Sequence, residues 1–149
     1  MVVRKIKEED VAALVKIGEK MHNAGSFKMI KYDKNKLFKI VSSSINSDNM
    51  VWFVAEDDGE YIGMIGGFIS EFYFSYEKYA SDFLIYIPDE KRGGKTAVEL
   101  LNKFEEWAKS KGAVEIRPGS SNNTNPKQVK KFYEWRKYET IGHLFRKEL

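Results

Sequence analysis

A turn with two glycines and flanking basic residues offers the clearest chemistry in this sequence. An apolar strand candidate ends at Ile87, and the turn 92–95 (Arg-Gly-Gly-Lys) then introduces a long helix. The first N–H groups of a helix have no partner within it, and the helix dipole adds positive charge there. Glycine lets the backbone approach a ligand closely, and Arg92 and Lys95 add charge. The turn therefore favours the binding of a phosphate group.

The end of this turn imitates a nucleotide-binding P-loop, but the spacing excludes that motif. The run Gly94-Lys95-Thr96 matches the last residues of a P-loop, whose first glycine would fall at position 89, where Asp89 stands. A Gly-Gly pair before a helix is also common in ordinary turns. The residues alone leave two interpretations open, a phosphate site and a plain structural turn.

Ten predicted elements must position this turn. Apolar patterns and turn residues predict strands at 2–6, 50–56, 61–70, 80–87, 113–117 and 138–146. They predict helices at 11–21, 34–45, 97–108 and 126–135. The order β-α-α-β-β-β-α-β-α-β is that of an α/β (α+β) domain with a mixed central sheet. Nothing marks a linker, so we expect residues 1–149 to form a single domain.

Individual residues delimit several of these elements. Asp33 and Asn125 stand where helix N-caps are expected, and Pro126 suits the first position of the last helix. Gly112 suits the position just after the third helix. The run 57–60 (Asp-Asp-Gly-Glu) predicts a tight hairpin between two strands.

The composition excludes several classes of function. Twenty-five basic and 22 acidic residues give a net charge of +3, which is low for a nucleic-acid-binding protein. The absence of cysteine removes disulfides, thiolate metal sites and a cysteine nucleophile. No apolar run approaches the roughly 20 residues of a membrane span, and the start does not look like a signal peptide. We therefore expect a cytoplasmic protein that binds no metal, nucleic acid or membrane.

The glycine turn and the helix after it resemble a known family. The pattern Arg-Gly-x-Gly-x-Gly/Ala followed by a leucine pair is the acetyl-CoA pyrophosphate signature of the GNAT N-acetyltransferases. The residues in register with it are Arg92, Gly93, Ala97, Leu100 and Leu101. Lys95 replaces the usual second glycine, so its ammonium would take over one backbone contact to phosphate. The resemblance covers nearly the whole chain and is strongest to small acetyltransferases of bacteria and phages.

The resemblance implies a GNAT fold in which acetyl-CoA enters a gap between the strand that ends at Ile87 and the strand at 113–117. Main-chain groups of the first strand would bond the pantetheine and the thioester carbonyl. The implied cofactor-binding residues are Ile85, Tyr86, Ile87, Arg92, Gly93, Gly94, Lys95, Thr96, Ala97 and Asn125. Asn125 keeps two interpretations, as a structural helix cap and as a cofactor contact.

The family also implies an acid and a base. Tyr133 matches the tyrosine that protonates the departing thiolate, although by pattern alone it is an ordinary aromatic on an apolar helix face. Asp82 or Glu71 would take the proton of the incoming ammonium, and each has an alternative interpretation as a strand-edge carboxylate paired with lysine. Lys137 replaces the glycine that usually follows the tyrosine, so we expect that turn to be built differently.

The resulting hypothesis is an N-acetyltransferase that moves an acetyl group from acetyl-CoA to the primary amine of an acceptor. The alternative is a non-catalytic CoA-binding module with the same fold, against which Arg92 and Tyr133 argue. The sequence does not identify the acceptor. A group of aromatic residues has two interpretations, an acceptor pocket and a homodimer contact: Phe72, Tyr73, Phe74, Tyr76 and Tyr79.

Overall fold

The computed structural model describes residues 1–119 and 125–149, in which five strands and four helices are found. The strands are β1 (Val2–Lys5), β2 (Met50–Asp57), β3 (Glu60–Glu71), β4 (Lys78–Tyr86) and β5 (Ala113–Arg117). The helices are α1 (Val11–Ala24), α2 (Lys34–Ser44), α3 (Thr96–Ser110) and α4 (Pro126–Trp135). Among the helices of these two ranges, none combines the length and the apolar character that a membrane crossing requires.

The strands form one mixed sheet in the order β1-β2-β3-β4-β5. Neighbours run antiparallel from β1 to β4, whereas β4 and β5 run parallel. A parallel pair needs a long crossover, and α3 supplies it. The expected α/β fold with a mixed central sheet is thus confirmed.

Apolar side chains cover both faces of the sheet. On one face, α1 and α2 bring Leu14 and Val41 into a cluster that contains Val54. On the other face, α3 brings Leu101 and Phe104 against Ile65. The sheet therefore lies between two helical layers.

Most of the residues that predicted element boundaries behave as expected. The Asp33 carboxylate accepts a hydrogen bond from the Lys36 N–H at 3.0 Å and so caps α2. Asp58 and Gly59 have positive φ values of 49° and 79°, as a tight hairpin between β2 and β3 requires. Gly112 ends α3 with a φ of 79°.

The strand predicted at 138–146 is wrong, because this segment forms neither strand nor helix. Its apolar residues Ile141, Leu144 and Phe145 are 69%, 84% and 89% exposed. A strand requires hydrogen bonds from a neighbouring strand, and a local apolar pattern does not show whether such a neighbour is available. The segment is instead fixed by Arg146, which donates to the Ser26 carbonyl oxygen at 2.9 Å.

The second residue after α4 keeps the left-handed backbone expected of a glycine. Lys137 has a φ of 70°, so the expectation of a differently built turn is also wrong. A non-glycine residue in this conformation costs roughly 1 kcal/mol. The turn places the Tyr138 N–H 2.9 Å from the Tyr133 carbonyl oxygen, which ties the following segment to the end of α4.

A testable consequence concerns Gly67 on β3, where neighbouring groups come very close. A Cβ atom there would lie 2.5 Å from the Phe104 ring and from the Ser81 carbonyl oxygen. We expect Gly67→Ala to lower the free energy of unfolding by about 2–3 kcal/mol, because the sheet backbone cannot move aside cheaply. Thermal unfolding measures the change. Gly142→Ala is the control, since nothing lies within 4 Å of its added Cβ. Equal melting temperatures for the two variants would refute the close packing.

Candidate functional site

β4 and β5 lie side by side over only part of their length. Their pairing involves residues 78–81 of β4 and 113–117 of β5. The Ser81 hydroxyl donates to the Arg117 carbonyl oxygen at 3.0 Å at the last pair. β4 then continues to Tyr86 while β5 ends, so the strands diverge. No strand of the described residues covers this edge of β4 beyond Ser81, and its N–H and C=O groups need partners.

A β-bulge lies at the point of divergence. Gly66 faces Leu84 while Gly67 faces Asp82, so Phe83 is the extra residue on β4. The Asp82 carboxylate accepts a hydrogen bond from the Gly119 N–H at 2.9 Å and bridges the start of the gap. The bulge therefore changes which way the β4 side chains point where the gap opens.

A cleft of about 810 Å³ occupies the gap. It is bounded by four parts of the chain. The first two are the α1 wall (Lys20, Met21, Ala24 and Phe27) and the β4 edge (83–87). The third is the glycine turn with the residues on either side of it (Asp89, Glu90, Arg92, Gly93, Gly94 and Ala97). The fourth is the α4 wall (Gly119, Asn125, Gln128, Val129, Phe132 and Tyr133). The cleft thus joins the open edge of β4 to the turn predicted to bind phosphate.

The glycine turn has the backbone that its sequence predicts. Gly93 has a φ of 86°, and an added Cβ at Gly93 or Gly94 would meet nothing within 4 Å, which leaves room for a ligand. Arg92 is engaged within the turn. Its Nε donates to the Ile87 carbonyl oxygen at 3.1 Å, and its guanidinium lies 2.6 Å from the Asp89 carboxylate. A phosphate would replace Asp89 as the partner of this guanidinium.

Two predicted members of the turn contribute less than expected. Lys95 and Thr96 do not line the cleft. The Thr96 side chain is buried, and its hydroxyl donates to the Met1 sulfur at 3.4 Å. Thr96 can therefore act only through its backbone N–H at the start of α3. Ile85, Tyr86, Ile87 and Ala97 line the cleft, and their contact with a cofactor stays a prediction.

Tyr133 presents a buried hydroxyl in the α4 wall. Its oxygen is inaccessible to solvent and has no hydrogen-bond partner among the described residues. The ring makes edge contacts with Phe132 and Tyr138 at centroid distances of 5.4 Å. Burial raises the pKa of the Tyr133 phenol far above its ordinary value, with smaller contributions from Asp82 and Tyr138. Tyr133 therefore stays protonated at neutral pH and keeps an O–H that no described residue accepts.

Of the two predicted carboxylates, only Asp82 lies near Tyr133, although it does not line the cleft itself. Burial raises the pKa of Asp82 to about 6, and the hydrogen bond from Gly119 opposes this shift. Glu71 stands opposite Lys78 in the register of β3 and β4, at the far end of β4. It is exposed and does not line the cleft. The register between β3 and β4 separates Glu71 from Asp82, which the sequence could not show.

Asn125 occupies the N-cap position of α4, but its side chain makes no capping hydrogen bond. It has a φ of 50° and lines the cleft. The Asn125 side chain therefore does not act as a cap, and its contact with a cofactor stays a prediction. The polar loop predicted at 118–124 lies largely outside the described residues.

Sequence reasoning missed most of the two walls. Val129 and Phe132 of α4 were recognisable as an apolar stripe, but the sequence did not show that this stripe faces a cleft. The α1 wall carried no chemical signal at all. Conversely, the aromatic residues at 72–79 do not line the cleft, and Tyr73 and Tyr76 are 100% and 91% exposed. The acceptor-pocket interpretation of these aromatics loses its support, and the homodimer contact stays a prediction.

Comparison with family models assigns the chain. The model described as the acetyltransferase (GNAT) family matches residues 19–135, which is most of the sequence. The chain belongs to the GNAT acetyltransferase family. The open edge of β4 and the glycine turn occur where the GNAT resemblance implied them. Within the described residues, no group of three or more His, Cys, Asp or Glu side chains could hold a metal ion.

Solved structures are similar over nearly the full chain at low sequence identity. The chain resembles AAC(6')-Iy in complex with the bisubstrate analog CoA-S-monomethyl-acetylneamine, with 15% identity, coverage of 99% and 98% of the two chains and a TM-score of 0.80. It also resembles a transcriptional regulator from Bacillus halodurans C-125, with 17% identity, coverage of 99% of each chain and a TM-score of 0.78. A putative acetyl transferase from Pyrococcus furiosus is similar with 24% identity, coverage of 99% of each chain and a TM-score of 0.71. These identities support a common GNAT fold. Comparison by sequence with curated proteins found no match.

The raised pKa of Asp82 predicts a pH-dependent stability. The folded protein holds this proton more tightly than the unfolded chain, where the pKa is near 3.8, so ionisation of Asp82 lowers stability as the pH rises from about 4 to above 6. Asparagine can still accept the Gly119 N–H but cannot ionise. As the pH rises through this window, the free energy of unfolding of Asp82→Asn should therefore increase relative to that of wild type by on the order of 2 kcal/mol. Urea unfolding at each pH measures this difference.

The control for this comparison is Glu71→Gln, which removes an exposed carboxylate outside the cleft. Its exposed side chain makes it the baseline for removing a carboxylate elsewhere on the same sheet. If the Asp82→Asn difference from wild type does not change over this pH range, the folded protein does not hold the Asp82 proton more tightly than the unfolded chain.

Proposed function

We propose that this GNAT protein transfers an acetyl group from acetyl-CoA to the primary amine of an acceptor. The observation that carries the proposal is the Tyr133 hydroxyl, a buried donor without a partner among the described residues, in the wall of the cleft beside the open edge of β4. An unsatisfied buried hydroxyl is unfavourable unless a ligand completes its hydrogen bonding. A departing thiolate is a suitable acceptor for its proton.

The residues around the cleft fit acetyl-CoA. Beyond Ser81, the N–H and C=O groups on the outer edge of β4 pair with no strand of the described residues. They match the amides of an extended pantetheine arm, which would lie beside the strand. The N–H groups of the glycine turn and the first turn of α3 suit the pyrophosphate, and the Arg92 guanidinium adds charge. Asn125 in the α4 wall is a further polar contact. When bound, acetyl-CoA supplies the acetyl group as a thioester.

The chain's own residues then divide the chemistry. Asp82 does not line the cleft, so it accepts through water the proton that the acceptor ammonium must lose; a pKa of about 6 leaves it ionised at neutral pH. An N–H group of β4 stabilises the negative charge on the carbonyl oxygen as the amine nitrogen attacks. Tyr133 donates its proton to the sulfur as the carbon–sulfur bond breaks. A new carbon–nitrogen bond has then formed and CoA leaves as the thiol. The nitrogen gives up its second proton, which restores the Tyr133 phenol, and Asp82 releases the first proton to solvent.

The first test concerns Arg92. We expect Arg92→Ala to raise the KM for acetyl-CoA about tenfold with little change in kcat, because a phosphate contact is made equally in the ground and transition states. Steady-state kinetics with varied acetyl-CoA measures both values. Lys91→Ala is the control, since Lys91 is a neighbouring cation outside the cleft lining. A normal KM with a collapsed kcat would move Arg92 from binding to chemistry.

The decisive test is Tyr133→Phe. We expect kcat to fall at least about tenfold at saturating acetyl-CoA, because only the proton donor is lost. The protein should be as stable as wild type or more stable, because the lost hydroxyl has no partner among the described residues. Thermal unfolding and acetyl-CoA titration calorimetry check the fold and the binding separately from the rate.

Tyr138→Phe is the matched control for that variant. It removes a hydroxyl that donates to Glu105 at 2.8 Å and leaves the ring beside Tyr133 in place, so kcat should be nearly unchanged. If the Tyr133→Phe enzyme turns over at the wild-type rate under conditions in which chemistry limits turnover, Tyr133 is a packing residue. Tight CoA binding without turnover on any amine would instead favour the non-catalytic module.

A further inference from the structure

The cleft has two dissimilar walls on opposite faces of the sheet. Tyr133 and Phe132 of the α4 wall pack with the α3 cluster on one face, whereas α1 belongs to the cluster on the other face. Under the proposed function, Tyr133 must lie near the departing sulfur. The acceptor nitrogen then approaches the thioester carbon from the side that Tyr133 and α4 leave free. The α1 wall and Phe83 therefore form the surface that contacts the acceptor.

This surface is apolar and partly aromatic. Phe83 is 46% exposed, and its ring stacks on Trp52 at a centroid distance of 5.9 Å and contacts Phe68 at 5.0 Å. Trp52 is itself held against Gly66, where an added Cβ would lie 2.4 Å from the indole. Phe27 adds a second partly exposed ring. The rings of Phe83 and Phe27, with the side chains of Met21 and Ala24, suit contact with a ligand that has an apolar or aromatic skeleton.

The charge on this surface is positive. Lys20 is the only charged residue of the α1 wall, and it forms no ion pair with the described residues. Arg146 places its guanidinium carbon 5.5 Å from the centroid of the Phe27 ring and likewise has no carboxylate partner among the residues described. The neighbouring Glu19 is paired with Lys34 at 3.0 Å and does not line the cleft.

The carboxylates that do line the cleft lie elsewhere. Asp89 and Glu90 lie just before the glycine turn, at the end of the cleft proposed to bind phosphate, and Asp89 forms an ion pair with Arg92. A polycationic acceptor would therefore meet the Lys20 ammonium at the α1 wall and find no carboxylate among the residues of that wall. An acceptor with a carboxylate would find two cations within this region of the protein.

We propose, on the basis of the proposed acetyl transfer, that the acceptor is a primary amine on an apolar or aromatic skeleton that also carries a carboxylate. Amino acids with apolar side chains belong to this class. Polyamines and polycationic amino sugars do not. The α1 wall and Phe83 bind the skeleton, and Lys20 attracts the carboxylate.

The test uses three acceptors that separate charge from shape: L-phenylalanine, phenethylamine and spermidine. For the wild-type enzyme we expect kcat/KM to decrease in that order. Phenethylamine keeps the ring but lacks the carboxylate. Spermidine lacks both the ring and the carboxylate and carries additional ammonium groups. Saturating acetyl-CoA is used throughout, and its KM is measured separately so that cofactor binding is controlled.

Lys20→Glu then probes the charge directly. Its kcat/KM for L-phenylalanine should fall at least about fivefold and its kcat/KM for spermidine should rise, while phenethylamine changes less. Lys39→Glu on α2 makes the same change in net charge outside the cleft lining and should leave the order of the three acceptors unaltered. Phe83→Leu should reduce kcat/KM for L-phenylalanine more than for L-alanine.

The outcomes that overturn this inference differ from those that overturn the proposed function. Preference for spermidine, or equal loss of L-phenylalanine turnover in Lys20→Glu and Lys39→Glu, refutes the acceptor class while acetyl transfer stands. No transfer to any of the three acceptors also refutes the class. If a wider panel of primary amines then shows no turnover either, the proposed function fails with it.

Discussion

The divergence of β4 from β5 after Ser81 is the constraint on which the rest of the site depends. A strand in the interior of a sheet normally satisfies its backbone groups on both sides. Among the described residues, however, β4 has a strand neighbour on one side only beyond this point. The Asp82 carboxylate holds the Gly119 N–H where the gap begins, and the bulge at Phe83 re-aims the side chains beside it. The cleft, its walls and its polar edge all follow from this break in pairing.

The open edge is tolerated because β4 is secured everywhere else. It pairs with β3 along nearly its whole length, and helical layers cover both faces of the sheet. Gly66 and Gly67 allow Trp52 and Phe104 to pack directly on the β3 backbone opposite the bulge. The gap is thus bordered by a firmly packed support, so that a ligand meets groups that are already in position.

The sequence predicted best where the determining contacts are local. The glycine turn, the Asp33 cap, the β2–β3 hairpin and the bounds of β5 all depend on a few neighbouring residues, and the structure confirms them. The segment at 138–146 carries an equally strand-like pattern, but pairing with a distant strand was needed and did not occur. Similarly, the choice between Asp82 and Glu71 depends on sheet register, and the α1 wall depends on how a helix packs across the sheet. Neither can be inferred from local spacing.

The stacking of Trp52 on Phe83 gives the cleft an optical signal of its own. The indole lies beneath a ring that faces the cleft, whereas Trp107 is buried against Phe104 and Trp135 is exposed at the end of α4. A molecule that settles on Phe83 changes the surroundings of one tryptophan out of three. Intrinsic fluorescence can therefore report occupancy of the α1 side of the cleft, without a label and independently of any chemical step.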